Sequence, residues 1–124
     1  MKRKILIIED DPVINEGIAI ILEKSGFDVQ AFTNPLDLDP TAEPPVLYLI
    51  DRQLADIDGL DICRRLKALP VTREVPVIIM SATPEARELA FAAGANAFLE
   101  KPFSRSTLLT AIEELVPEHS VILK

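Results

Sequence analysis

The sequence is poor in the residues from which many cofactor sites and secreted folds are built. Among its 124 residues are one cysteine, one histidine and four glycines. A single cysteine, Cys63, forms neither an internal disulfide nor a cysteine-based zinc site, and a reducing compartment suits it. With so few glycines, neither G-x-G-x-x-G nor G-x-x-x-x-G-K occurs, so there is no glycine-rich cradle for a nucleotide. Long apolar runs are missing as well. The basic start Met1-Lys2-Arg3-Lys4 leads into Ile5-Leu6-Ile7-Ile8, and Glu9-Asp10-Asp11 ends that run after four residues. A signal peptide or a membrane span needs far more. Basic residues number 13 against 20 acidic, a net charge of −7, which argues against non-specific binding to nucleic acid or to an anionic membrane face. The expectation is a soluble cytoplasmic protein with no membrane attachment and no direct nucleic-acid binding.

What is present is enough for one core. Apolar residues make up 48% of the chain, and a domain of this size buries about two-thirds of its unfolded surface. No repeat, low-complexity stretch or linker interrupts the sequence, so residues 1–124 read as a single domain.

The pattern alternates short apolar runs with helical periodicity. Ile5–Ile8 is apolar and rich in β-branched residues, as a strand buried on both faces requires. Asp11-Pro12 predicts an N-cap with proline at the first helical position, Ile14, Ile18, Ile21 and Leu22 follow at helical spacing, and Gly26 supplies a stop. Further strands are predicted at Asp28–Phe32, Val46–Ile50, Pro76–Met80 and Ala97–Leu99. Helices are predicted over Gly59–Leu69, from Thr83-Pro84 to Ala93, and over Ser104–Val116 with Pro117 as its stop. The weak stretch is Thr33–Pro45. Pro35, Pro40, Pro44 and Pro45 crowd it, so the second helix there is short or irregular. Strands alternating with helices imply βαβ units, that is, a doubly wound α/β fold with a parallel sheet.

In such a sheet, ligands bind beyond the carboxyl ends of the strands. Those ends carry Glu9 and Asp10 after the first strand, Asp51 after the third, Ser81 after the fourth and Lys101 after the fifth. Three carboxylates converging on one shallow pocket repel one another unless a cation is present. A hard, oxygen-liganded ion such as Mg²⁺ fits, with Mn²⁺ a possible substitute. The carboxylates and Lys101 carry a formal charge of −2, which a dication cancels before an anionic phosphoryl group arrives.

The segments Ile8-Glu9-Asp10-Asp11, Leu49-Ile50-Asp51, Asp58-Gly59, Met80-Ser81-Ala82 and Lys101-Pro102-Phe103 together resemble the response-regulator receiver domain of two-component signalling. Any one of these pieces is common, whereas five in order at strand ends are specific, and they cover essentially the whole chain. The resemblance implies a flavodoxin-like (βα)5 fold with strand order 2-1-3-4-5. It also implies a phosphorylation switch controlling a partner or output domain. Asp51 matches the phosphoacceptor, taking a phosphoryl group from a histidine kinase or a histidine phosphotransfer protein. Glu9, Asp10 and Asp51, with the backbone carbonyl of Gln53, match the Mg²⁺ ligands. Lys101 matches the lysine that pairs with the carboxylate and then with a phosphoryl oxygen, and Ser81 the hydroxyl that binds another such oxygen. Phe98 matches the aromatic switch position, whose outward state would expose an apolar ring. Gln53 and Thr83 occupy the positions that modulate phosphoryl lifetime, and Lys101-Pro102 is expected to be a cis peptide. The chain is then a phosphoacceptor that catalyses only its own phosphorylation and dephosphorylation.

Simpler roles suffice for some residues. Asp11 is a helix cap, Cys63 a buried helix residue, His119 a solvated tail residue, and Arg64, Arg65 and Lys67 a solvated helix face. The chain departs from the family where Ala55 replaces a usual proline and where the segments before Asp51 and after Ala82 are slightly short. Asn96-Ala97 replaces a usual acidic pair, which argues for a monomer or weak dimer. Two other functions compete: a haloacid-dehalogenase-like phosphatase, which needs an Asp-x-Asp that Ile8-Glu9-Asp10-Asp11 does not give, and a receiver-shaped module that no longer takes phosphate.

Overall fold

The run Ile5–Ile8 has no polar face to offer water, so it belongs in the middle of a layered structure. The computed structural model, which describes residues 3–39 and 41–116, places it there. Pro40, Pro117 and His119 lie outside the described residues. Strands β1 (Lys4–Ile8), β2 (Asp28–Phe32), β3 (Leu47–Asp51), β4 (Val77–Ser81) and β5 (Ala97–Glu100) form one parallel sheet in the order β2-β1-β3-β4-β5. Helices α1 (Pro12–Lys24), α2 (Gly59–Ala68), α3 (Ala86–Ala92) and α4 (Arg105–Leu115) cover its two faces. Alternate strand residues point to alternate faces. Ile5, Ile7, Leu49, Ile78 and Leu99 meet α1 and α4, while Leu6, Ile8, Ile50, Ile79 and Phe98 meet α2 and α3. Among the described residues no helix is long and apolar enough to cross a membrane.

The ends of α1 follow its sequence signals. The Asp11 carboxylate accepts from the Val13 and Ile14 amides at 2.9 and 3.3 Å, Pro12 fills the first turn, and Gly26 leaves the helix at φ +96°. The buried line of α1 is Asn15, Ile18 and Leu22, whereas Ile14 is 41% exposed.

The second helix is as weak as its prolines predict, while the bounds of α3, β3 and β4 differ from expectation. The second helix is reduced to a single 3-10 turn, Pro35–Asp37, with the Asn34 side chain accepting from the Leu36 amide. Pro35 permits the turn, but Pro44 and Pro45 leave no room to propagate a helix before β3. Leu36 is 81% exposed, and a cavity of about 270 Å³ opens between this turn and α2, lined by Pro35, Leu38, Ile57, Ile62 and Leu69. Helix α3 begins at Ala86 rather than at Pro84, with Glu85 at the cap position and no side-chain hydrogen bond there. Finally, β3 and β4 run one residue past their apolar runs, so Asp51 and Ser81 are the last residues of strands rather than the first of loops.

Lys67 is also different. Arg64 and Arg65 are exposed as expected, but Lys67 is half-buried. Its Nζ donates to the carbonyls of Arg73 (3.3 Å) and Val75 (2.9 Å) and to Asn96 Oδ1 (2.9 Å). Asn96 Oδ1 accepts from the Val77 amide as well, and the Asn96 amide donates to the Val77 carbonyl. Burial holds the Lys67 ammonium below the usual lysine range, with the Glu74 carboxylate opposing that shift. The knot ties α2 to the starting ends of β4 and β5. Lys67→Met should cost about 1–3 kcal/mol, since it leaves carbonyl oxygens without their donor. Urea unfolding at pH 7 measures this as a lower midpoint with an unchanged slope, and an unchanged midpoint would show the knot to be idle.

Candidate functional site

The carboxyl ends of β1, β3, β4 and β5 open on one edge of the sheet, and the polar residues follow from where each strand stops. Glu9 comes directly after β1 and is 1% exposed; Asp51 closes β3 at 4% exposed; Asp10, beside Glu9, is half-buried. One carboxylate oxygen from each of Glu9, Asp10 and Asp51 lies within 4.8 Å of the others.

Lys101 answers part of that charge. Its Nζ stands 2.5 Å from Glu9 Oε1 and 3.2 Å from Asp51 Oδ1. Burial alone would lower the Lys101 pKa. The hydrogen bond that the ammonium donates to Glu9 and the charges of Asp51 and Glu9 outweigh it, and the ammonium is held above the usual lysine range. The Lys101 amide donates to the Ser81 carbonyl at 2.8 Å, and the Lys101–Pro102 peptide is cis. The Ser81 side chain is fully buried, and its Oγ accepts from the Thr83 amide at 3.1 Å. The Phe98 ring is 8% exposed and packs inward with Ile79, Ala86 and Ala90.

The loop after Asp51 folds back on itself. The Arg52 amide donates to the Met80 carbonyl, and the Arg52 carbonyl accepts from the Gly59 amide at 2.8 Å. Gln53 is exposed and bridges Asp58 in antiparallel fashion, and Arg52 Nε lies 3.6 Å from Asp58 Oδ2. The Asp58 carboxylate caps α2 through the Leu60 amide.

Two residues of the site escape the sequence reading. Gly59 sits so close to the main chain of Asp51 that a Cβ there would lie 2.2 Å from the Asp51 carbonyl oxygen. The Asp58-Gly59 pair is visible in sequence, but its spatial neighbour is not. Asn15 is 4% exposed, and its Nδ2 donates to the Glu9 carbonyl at 3.0 Å and to the Phe32 carbonyl at 2.9 Å. A polar amide on the buried line of an amphipathic helix, four residues past the cap Asp11, was its available signal.

The structure thus brings Glu9, Asp10, Asp51 and Lys101 together, with Ser81 beside them, Gln53 and Thr83 on the flanking loops, and Phe98 one layer deeper. Glu9, Asp10 and Asp51 offer only carboxylate oxygens, the donor type of a hard dication such as Mg²⁺.

Comparison with known proteins agrees with this geometry. The family model described as "Response regulator receiver domain" matches residues 5–113. RpaA of Synechocystis, described as a DNA-binding dual master transcriptional regulator, is 32% identical over 117 residues, covering 91% of this chain and 48% of that protein. The chain spans about half the length of the curated relatives it matches. A putative response regulator from Chloroflexus aurantiacus superposes with a TM-score of 0.89 at 25% identity, covering 94% of this chain and 99% of its own. The receiver domain of sensor histidine kinase PA1611 from Pseudomonas aeruginosa, solved with magnesium in its active-site cleft, gives 0.85 at 27% identity, covering 94% and 99%.

Two outcomes follow. Gly59→Ala should lose 1–3 kcal/mol or more of stability, because backbone atoms cannot give way to the new methyl group; thermal melting measures it, and a neutral result would contradict the close approach. For Lys101, the folded-state pKa lies above the unfolded one, so its contribution is complete below the ordinary lysine value of about 10.4 and fades as pH rises through the folded value. The urea midpoint of the native chain minus that of Lys101→Met should therefore stay constant from pH 7 to about pH 10 and shrink above it. A difference that disappears near neutrality would contradict this assignment.

Proposed function

Because the chain belongs to the response regulator receiver family, we propose that it is a phosphoacceptor switch in which Asp51 takes a phosphoryl group from a phosphohistidine. The donor is a histidine kinase or a histidine phosphotransfer protein. One observation carries this reading: Asp51 is a buried carboxylate at the strand ends that already shares a lysine with a second buried carboxylate, Glu9. Phosphoryl transfer asks a protein for positioning and charge neutralisation more than for covalent machinery.

An Asp51 carboxylate oxygen attacks the phosphorus as the P–N bond to the donor imidazole breaks. The leaving nitrogen keeps the bonding pair, and Asp51 becomes an acyl phosphate. Lys101, already 3.2 Å from Asp51 Oδ1, supplies positive charge to an incoming phosphoryl oxygen, and the Ser81 hydroxyl donates to another. Glu9, Asp10, Asp51 and the Gln53 carbonyl would hold Mg²⁺ or Mn²⁺, which neutralises phosphoryl charge when bound. The exposed Gln53 and half-buried Thr83 flank the water that later hydrolyses the acyl phosphate. A recess of about 490 Å³ beside Lys101, lined by Ile14, Gly17, Ala82, Pro102 and Phe103, gives the donor an apolar seat next to the reacting carboxylate.

The output is a change of shape rather than a released product. Drawing Ser81 toward the phosphoryl group alters the space beside β4, and Phe98, which packs on Ile79, responds through that contact. The readout face comprises α3, β5 and α4, and its partner or output domain acts in the cytoplasm. Asn96 is committed to Lys67 and Val77, which supports a monomer or weak dimer. With a net charge of −7, the domain itself does not bind nucleic acid.

The test is intact mass after incubation with Mg²⁺ and a small phosphodonor such as acetyl phosphate. One phosphoryl group should be gained by the native chain, none by Asp51→Asn, and none after chelation of the metal. A gain that persists in Asp51→Asn would place the acceptor elsewhere.

A further inference from the structure

Asn15 lies outside the acidic cluster, yet the cluster's backbone depends on it. The Glu9 carbonyl, at the point where β1 turns into α1, accepts from Asn15 Nδ2 at 3.0 Å. The Phe32 carbonyl, the last of edge strand β2, accepts from Asn15 Nδ2 at 2.9 Å and also from the Glu9 amide at 3.1 Å. One buried side-chain amide therefore closes a ring made from the ends of β1 and β2 and the first turn of α1.

This ring stands where the fold is otherwise thin. Beyond Phe32 the chain passes through Thr33 and Asn34 into one 3-10 turn, so the connection from β2 to β3 supplies no α-helix of its own to cover the edge strand. The residues of β2 are mostly exposed. Glu9 and Asp10, by contrast, must hold their carboxylates within 4.8 Å of Asp51 against mutual repulsion. Lys101 restrains the Glu9 side chain at its tip, and the Asp11 amide donates to Glu9 Oε2 at 3.2 Å. Asn15 is the side chain that holds the Glu9 main chain. Losing its donors would leave two carbonyls at the strand ends short of a partner, and the turn carrying both carboxylates would relax toward water.

We propose that Asn15 is a positioning residue of the site: it fixes the β1–α1 turn so that Glu9 and Asp10 are presented as one preformed divalent-cation site. The metal role assumed for Glu9 and Asp10 rests on the function proposed above; the clasp itself rests on the hydrogen bonds. Hydrogen-bond partners that orient metal ligands typically govern affinity by 10–100-fold. Asn15→Leu keeps the branched skeleton and removes both donors, and Asn15→Ser provides a second, smaller variant if the leucine chain does not fold. Ile18→Val, on the same buried line of α1, is the control for simple loss of packing.

Two measurements decide the matter. Amide hydrogen exchange in metal-free protein should show the Glu9 amide exchanging at least tenfold faster in the Asn15 variants, with no such change in Ile18→Val. Calorimetric titration with Mg²⁺ should give a dissociation constant weaker by on the order of tenfold in the Asn15 variants, and an unchanged one in Ile18→Val. Native exchange and native Mg²⁺ affinity in the Asn15 variants would overturn the proposal, as would equal losses in the Ile18 control. If the native chain takes up no Mg²⁺, the phosphoacceptor reading fails, and the exchange result still decides whether Asn15 clasps the turn.

Discussion

The structure is organised around a repulsion that it relieves only in part. Glu9 and Asp51 are both almost completely buried, with carboxylate oxygens within 4.8 Å of each other and of Asp10. Two unit charges at that separation repel by roughly 3 kcal/mol at an effective dielectric constant of about 20. A fold optimised only for stability would not place them so. Lys101 offsets part of the cost by standing between Glu9 and Asp51, and the remaining negative charge makes the site receptive to a dication. Most neighbouring features hold that arrangement still: the Asn15 amide behind Glu9, the Gly59 approach behind Asp51, and the backbone link from Lys101 to Ser81.

The parts of this design that were legible in the sequence are those set by periodicity and by strand ends. Ile5–Ile8 and Val77–Met80 carry β-branched or large apolar residues with no polar alternation, so their burial on both faces, and hence a parallel sheet, could be read directly. The positions just beyond such runs necessarily gather on one edge, and Glu9, Asp10, Asp51, Ser81 and Lys101 stand out there as a group. Strand order came only through resemblance, because nothing in the local pattern states which strand lies beside which.

What was not legible depends on contacts between residues distant in sequence. Lys67 reads as one more cation on a polar helix face, and only the fold brings it to carbonyls at Arg73 and Val75 and to the amide of Asn96. Gly59 reads as a helix-start glycine until the Asp51 carbonyl is seen against it. The extension of β3 to Asp51 and of β4 to Ser81 is set by ladder pairing, Asp51 with Met80 and Ser81 with Glu100, rather than by hydropathy. The weakness of the second helix was legible, since prolines forbid propagation; the apolar cavity left beside α2 was not.

The Lys67 knot also gives the sheet a mechanical asymmetry. Strands β4 and β5 are clamped at their starting ends through Val75, Val77 and Asn96, and they carry Ser81 and Lys101 at or just beyond their far ends. A beam clamped at one end deflects most at the other. The far ends of these strands lie away from that clamp and are joined to each other through the Lys101 amide and the Ser81 carbonyl. From there the chain continues through the turn Ala82–Glu85 into α3 and through the segment Pro102–Ser104 into α4. The knot thus fixes the ends of β4 and β5 that lie opposite the acidic cluster, while the ends that border the cluster are held by other bonds.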